Sequence, residues 1–139
     1  MRIYMFNDGL ARLATEKYQT PAPKNMSNLF MHLTNYAINK HSDAYEAAED
    51  SSSDGGESGH KRSLNAILQI LEASGCDKAK IMRLIKDIIV KTLIVGQPYL
   101  NHLYKSCQPE CLDNSMVFQI LGFDIMIDKK FRPWLIEVN

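Results

Sequence analysis

Neither sign of charge prevails in this sequence: sixteen Lys and Arg residues balance sixteen Asp and Glu. No overall field favours DNA, RNA or an anionic membrane, so any charge-driven recognition has to be local and a nucleic-acid partner is not expected. Long apolar runs are absent as well. The longest are broken by Lys, Asp or Gly well short of the roughly 20 residues that a membrane span needs, and the N-terminus lacks a signal-peptide apolar region. The chain therefore reads as intracellular, with no membrane contact. Cysteine is scarce: Cys76, Cys107 and Cys111 form an odd set, and the Cys107/Cys111 pair lacks the second half of a zinc-ligand pattern. Reduced thiols are the expectation. With 45% hydrophobic and 23% charged residues, the remainder has the make-up of one globular domain around one core.

Along the chain, Arg2 to Phe6 is β-branched and aromatic, Asn7-Asp8-Gly9 is a turn signal, and Leu10 to Ala14 follows, which predicts a hairpin. Such an abrupt opening suggests an internal methionine or a misplaced start. Thr20 to Asn25 holds two prolines and reads as a loop, and Asn28 to Asn39 as a compact element. At about 42–62 the chain contains Glu-Asp-Ser-Ser-Ser-Asp-Gly-Gly-Glu-Ser-Gly, which has almost nothing to bury, so a disordered insertion is expected. Ser63 to Ser74 carries Leu64, Ile67, Leu68 and Leu71 at helical spacing, closed by Gly75. Asp77 is placed to cap a second helix whose core face is Ile81, Leu84, Ile85, Ile88, Thr92 and Val95. Gly96 and Pro98 should kink or break it, with helix resuming over Tyr99 to Lys105.

Chemistry concentrates at the end. Val117 to Asp128 and Trp134 to Asn139 read as strands joined by a six-residue loop that pairs Ile127 with Trp134, because Pro133 cannot donate to a ladder. In that register Ile125 meets Ile136 and Phe123 meets Val138 on one face, while Asp124 meets Glu137 and Gly122 meets Asn139 on the other. One face is then a core, and the other holds two carboxylates and an amide. Carboxylates inside an apolar hairpin repel each other unless a cation or donors neutralise them. An all-oxygen set suits Mg²⁺ bridging ATP phosphates better than zinc or copper, and Gly122 leaves room for a ligand. The alternative is that Asp124 and Glu137 sit at a solvated sheet edge and bind nothing.

At these residues the sequence resembles the tubulin tyrosine ligase-like family. The resembling stretches are Arg2-Ile-Tyr-Met-Phe-Asn-Asp-Gly-Leu-Ala-Arg12, Met31-His-Leu-Thr-Asn-Tyr-Ala-Ile-Asn-Lys-His41, Ile89-Val-Lys-Thr92, Leu121-Gly-Phe-Asp-Ile-Met-Ile-Asp128 and Pro133-Trp-Leu-Ile-Glu-Val-Asn139. Glu-x-Asn is shared by many ATP-grasp ligases; the His-Leu-Thr-Asn segment in the same order is far more specific. The resemblance implies an α+β chain: part of an ATP-grasp domain, with antiparallel strands or hairpins packed with two or three helices. Residues 1–139 would form the C-terminal part of the catalytic domain.

The resemblance also implies roles. Asp124, Glu137 and Asn139 would hold magnesium and the nucleotide phosphates. Arg12 would contact phosphate or the acceptor carboxylate with its forked donors. Thr34 and Asn35 look like the nucleotide-contacting pair, and Lys40 and His41 would meet acidic substrate. Read without the family, Arg12 is an ordinary strand residue and the other four are loop-capping or surface residues. Asn35-Tyr36 with Asn39-Lys40-His41 looks most like the polyglutamylase branch. The implied reaction uses ATP and Mg²⁺ to add free glutamate to glutamate side chains of tubulin tails through an acyl phosphate. Cytoplasm and cytoskeleton are the implied locations, with cilium, axoneme or basal body by analogy. The competing readings are an inactive tubulin-binding remnant, a glycylase or tyrosine ligase, another ATP-grasp ligase, and a structural α+β domain. The family's adenine-pocket and phosphate-binding lysines would come from sequence before Met1.

Overall fold

The computed structural model describes residues 1–48, 58–112 and 116–139. In chain order they form β1 (Leu10–Arg12), α1 (Leu29–His32), α2 (Tyr36–Asn39), β2 (Lys61–Ser63), α3 (Leu64–Ala73), α4 (Lys78–Cys107), β3 (Phe123–Ile127) and β4 (Pro133–Val138). The architecture is mixed α/β with two antiparallel strand pairs, β1 with β2 and β3 with β4. The chain divides into two compact units, residues 6–75 and residues 1–5 with 76–139, where one core was expected.

In the first unit β1 does not fold back on residues 2–6. It pairs with β2, Leu10 opposite Ser63, Ala11 opposite Arg62 and Arg12 opposite Lys61. The turn residues are committed elsewhere. Gly9 O accepts the Leu64 N–H at 2.8 Å and Asp8 Oδ1 accepts the Asn65 N–H at 3.0 Å. Ser63 Oγ takes the Ala66 N–H at 3.1 Å, so the first three free donors of α3 are all satisfied. Burial pulls the Asp8 carboxyl up, but donors from the Gly9 and Asn65 backbone outweigh it and hold the group below its ordinary value. What reads as a hairpin turn is a helix cap recruited across the chain. At the other end of α3, Gly75 takes φ 89°, as a helix-terminating glycine does.

The expected insertion falls partly on 49–57, which lie outside the described residues; its described ends, 42–48 and 58–62, are structured, a correction at its margins. His60 N donates to Glu46 O at 3.0 Å, Glu46 N donates to His60 Nδ1 at 3.0 Å, and the His60 ring stacks on Tyr45. Gly59 makes the approach possible: at φ 74°, a Cβ there would lie 2.8 Å from the backbone of Glu46 and Ala47.

In the second unit Asp77 Oδ1 accepts the Lys80 N–H at 2.9 Å and starts α4. The expected break at Gly96 and Pro98 does not occur; α4 runs through both to Cys107. Proline there removes the bond to the carbonyl of Ile94, a residue 60% exposed, where solvent is at hand. Ile81 and Ile85 are buried, and Leu84, Ile88 and Thr92 half-buried, so most of the expected stripe is inward. Val95 is not: at 82% exposure it ends the stripe one turn early. α4 also packs on β4. Among the described residues no helix is long and apolar enough to cross a membrane, and Cys76, Cys107 and Cys111 form no disulfide.

Candidate functional site

The β3–β4 hairpin starts where the pattern places it. Gly122 and Asn139 exchange backbone hydrogen bonds of 2.8 Å each, Phe123 pairs with Val138, and Asp124 pairs with Glu137. Beyond Asp124 the register shifts: Ile125 meets Leu135, Met126 meets Trp134, and Ile127 meets Pro133. The expected partners Ile125/Ile136 and Ile127/Trp134 are thus corrected by one residue, and Pro133, as the first residue of β4, is tolerated in the ladder.

The turn causes the shift. Asp128 gathers it, its Oδ1 accepting the Lys130 and Arg132 N–H groups at 2.8 and 3.0 Å, and its Oδ2 accepting Arg132 Nε at 2.9 Å and Trp134 Nε1 at 3.1 Å. These donors, the Arg132 backbone N–H foremost, hold the Asp128 carboxyl far below the usual carboxylate range. Phe131 accommodates the tight path at φ 58°. The shorter loop leaves β4 one residue out of step, and a bulge at Ile136 restores the alignment, so Glu137 still arrives opposite Asp124. Bulges commonly re-aim side chains beside functional sites.

Strand alternation puts the Gly122/Asn139 and Asp124/Glu137 pairs on one face. Asp124, Glu137 and Asn139 are all exposed, which corrects the premise that they are inside an apolar hairpin. Water solvates them, and a like-charged cross-strand pair in that setting costs only about 0.2–1 kcal/mol. The opposite face is only partly a core: Phe123 and Ile125 are half-buried, but Ile136, displaced by the bulge, is 62% exposed.

The donor set fits a hard divalent cation carrying phosphates. All its donors are oxygens, and a Cβ at Gly122 would meet nothing closer than Asn139 O at 3.9 Å, so the face is open. Among the described residues no three or more His, Cys, Asp or Glu side chains form a metal-holding group.

The other candidates lie in the 6–75 unit. Arg12 is exposed on β1, opposite Lys61. Thr34 and Asn35 are exposed between α1 and α2. Asn35 occupies the N-cap of α2, yet its side chain makes no capping bond, so the bland capping role does not account for it. Lys40, the C-cap of α2, lays its ammonium 5.8 Å from the centre of the Tyr36 ring, and Tyr36 meets Tyr45 edge-to-face at 5.9 Å. His41 is exposed at the rim of a shallow depression floored by Leu29, Phe30, Ala37 and Ile38.

One residue of this region was not legible in the sequence. Asn39 is only 1% exposed, and its amide makes three bonds: Oδ1 accepts the Thr15 N–H at 3.1 Å, and Nδ2 donates to Leu33 O at 2.7 Å and to Asn35 O at 3.2 Å. An Asn beside Lys40 reads as surface. Only its spacing of four from Asn35, one helical turn, hints at the contact.

The chain is mixed α/β, and one open face of its β3–β4 hairpin carries Asp124, Glu137 and Asn139. The comparison with known families is specific: the model of the tubulin-tyrosine ligase family matches residues 1–139, and the chain belongs to that family. It is 48% identical over 139 residues to a probable beta-tubulin polyglutamylase of Tetrahymena thermophila, covering 100% of this chain and 12% of that protein. It is 43% identical over 141 residues to tubulin polyglutamylase TTLL7 of Xenopus tropicalis, covering 100% of this chain and 15% of that protein. With tubulin polyglutamylase TTLL6 of Homo sapiens the identity is 45% over 139 residues, again 100% of this chain and 15% of the relative. The chain thus spans 12–15% of the length of these relatives.

Proposed function

We propose that these residues are the C-terminal part of the ATP-grasp catalytic domain of a tubulin polyglutamylase, an ATP- and magnesium-dependent ligase. The observation that carries this reading is the bulge-corrected register that sets Asp124 against Glu137 on the face of Gly122 and Asn139. The three relatives, all named as tubulin polyglutamylases or a probable one, support the choice of substrate.

Asp124, Glu137 and Asn139 would hold magnesium and the nucleotide phosphates. Magnesium held by these residues would supply neutralisation of phosphate charge and polarisation of phosphate oxygens. Thr34 and Asn35 offer exposed polar groups to the nucleotide. Arg12 brings a fixed fork of donors to phosphate or to the acceptor carboxylate, a task of positioning and electrostatics. Lys40, held over Tyr36, and His41 present positive charge and donors to an acidic tubulin tail.

In the reaction, an oxygen of a tail glutamate γ-carboxylate bonds to the γ-phosphorus of ATP and ADP leaves, giving an acyl phosphate. The amine of free glutamate then attacks the acyl carbon. The carbon–oxygen bond breaks, inorganic phosphate departs, the nitrogen loses its proton, and an isopeptide bond remains. The place of action follows the substrate: cytoplasmic microtubules, including those of cilia, axonemes and basal bodies.

The exposure of Asp124 and Glu137 favours one second reading, a tubulin-binding remnant without catalysis. Glu137→Gln in the full-length parent separates the two. Loss of glutamate addition to tubulin, read by mass spectrometry with the fold intact, is expected. Unchanged addition sinks the metal assignment, and a wild-type parent that binds tubulin but adds nothing supports the remnant.

A further inference from the structure

The geometry assigns to Asn39 a positioning role that joins three segments, each of which carries candidate site residues; the assignment rests on the functional reading above. Its amide contacts Thr15, three residues beyond Arg12, and also Leu33 and Asn35, which bracket Thr34. Its own backbone leads directly into Lys40 and His41. The Asn39 N–H also donates to Asn35 O at 2.9 Å, so that carbonyl accepts from both the main chain and the side chain of one residue.

The chemistry calls for an amide. Two bonds need donors, to Leu33 O and Asn35 O, and one needs an acceptor, for the Thr15 N–H. No other side chain of this length supplies both. The 1% exposure means that solvent cannot replace a missing partner, so each bond is held or its group is left unpaired. By contrast Arg12, Thr34, Asn35, Lys40 and His41 are all exposed. Exposed side chains reach a common ligand reproducibly only if the backbone beneath them is fixed. Within this unit, the Asn39 amide ties the 12–15, 33–35 and 39–41 segments to one another, in addition to the backbone bonds of α2. Asn39 itself touches no ligand; it acts through the residues it orients.

Asn39→Asp tests this with almost no change of shape. It keeps the acceptor for Thr15 but turns a carboxylate oxygen towards the carbonyls of Leu33 and Asn35. Asn39→Ser is the companion, since it loses the reach for every bond without adding charge. Both are made in the full-length parent, where KM for ATP, KM for the tubulin acceptor and kcat are measured beside the melting temperature and hydrogen exchange over 12–15 and 33–35. The expected result is faster exchange in both segments and a loss on the order of 10²-fold in kcat/KM for both substrates, carried by raised KM values in the protein that remains folded. A purely structural Asn39 would lower the melting temperature and the active fraction while both KM values stayed at wild type, and that result overturns the assignment. Wild-type exchange in the two segments despite either substitution also overturns it. Should the wild-type parent show no ligation, the functional reading fails first, and with it the role given to Asn39, whatever the exchange data say of the hydrogen bonds.

Discussion

Gly122→Ala separates what the hairpin needs from what a ligand needs. Gly122 is not in the left-handed region, and its backbone N–H and carbonyl pair with Asn139 like those of any strand residue. An added Cβ would meet only Asn139 O, at an ordinary 3.9 Å. The chain itself therefore has no use for glycine here, and alanine should raise stability by about 0.4–1 kcal/mol by narrowing the unfolded ensemble. The same methyl group would stand on the face of Asp124, Glu137 and Asn139, where phosphate oxygens are proposed to approach. A displacement of about 1 Å in such a site costs on the order of 10²-fold in rate. Urea unfolding of the chain, followed by the fluorescence of its single tryptophan, Trp134, reads the first effect, and kcat/KM for Mg-ATP in the full-length parent reads the second. Lower stability would show that the backbone path is misjudged. Unchanged kcat/KM would show that phosphate does not approach this face.

Other outcomes follow from the same contacts. Hydrogen bonds depress the Asp128 carboxyl in the folded turn, so its contribution to stability is complete above the ordinary carboxylate range and is lost as pH falls through the lower, folded value. Asn at position 128 should flatten the acid limb of the stability profile, and because Trp134 Nε1 donates to Asp128, tryptophan fluorescence reports the change directly. An acid limb identical to wild type would refute it. Thr15 Oγ1 is buried with no hydrogen-bond partner among the described residues, so Thr15→Val should leave stability unchanged or raise it by about 1 kcal/mol. A clear loss in chemical denaturation would mean that the hydroxyl is satisfied after all.

Legibility in the sequence tracked how local the signal was. α3 and the start of α4 were readable because Ser63, Gly75 and Asp77 act within a turn of their own helices. The Asp124/Glu137 pairing was readable because alternating residues on both strands shared one phase at that end. The other end was not, since the loop geometry depends on how many donors one carboxylate, Asp128, can collect, and the resulting bulge at Ile136 leaves no mark in the hydrophobic pattern. The β1–β2 pairing was hidden for a similar reason. Leu10 and Ser63 are remote in sequence, and Asn7-Asp8-Gly9 carries the signature of a tight turn while serving as a cap for α3. Asn39 was invisible because its three partners lie on segments whose meeting is a tertiary event. Thr34, Asn35, Lys40 and His41 are legible only through the family resemblance, because exposed polar residues of these types carry no pattern of their own.

The central claim is that Asp124, Glu137 and Asn139 hold magnesium and nucleotide phosphates, and calorimetry on the full-length parent tests it most directly. ATP is titrated with and without Mg²⁺ into the wild type and into Glu137→Gln and Asp124→Asn. The account predicts Mg²⁺-dependent binding by the wild type and loss of that dependence in both variants, with unfolding transitions unchanged because both side chains are solvated at the surface. Variants that bind Mg-ATP as tightly as the wild type would contradict it.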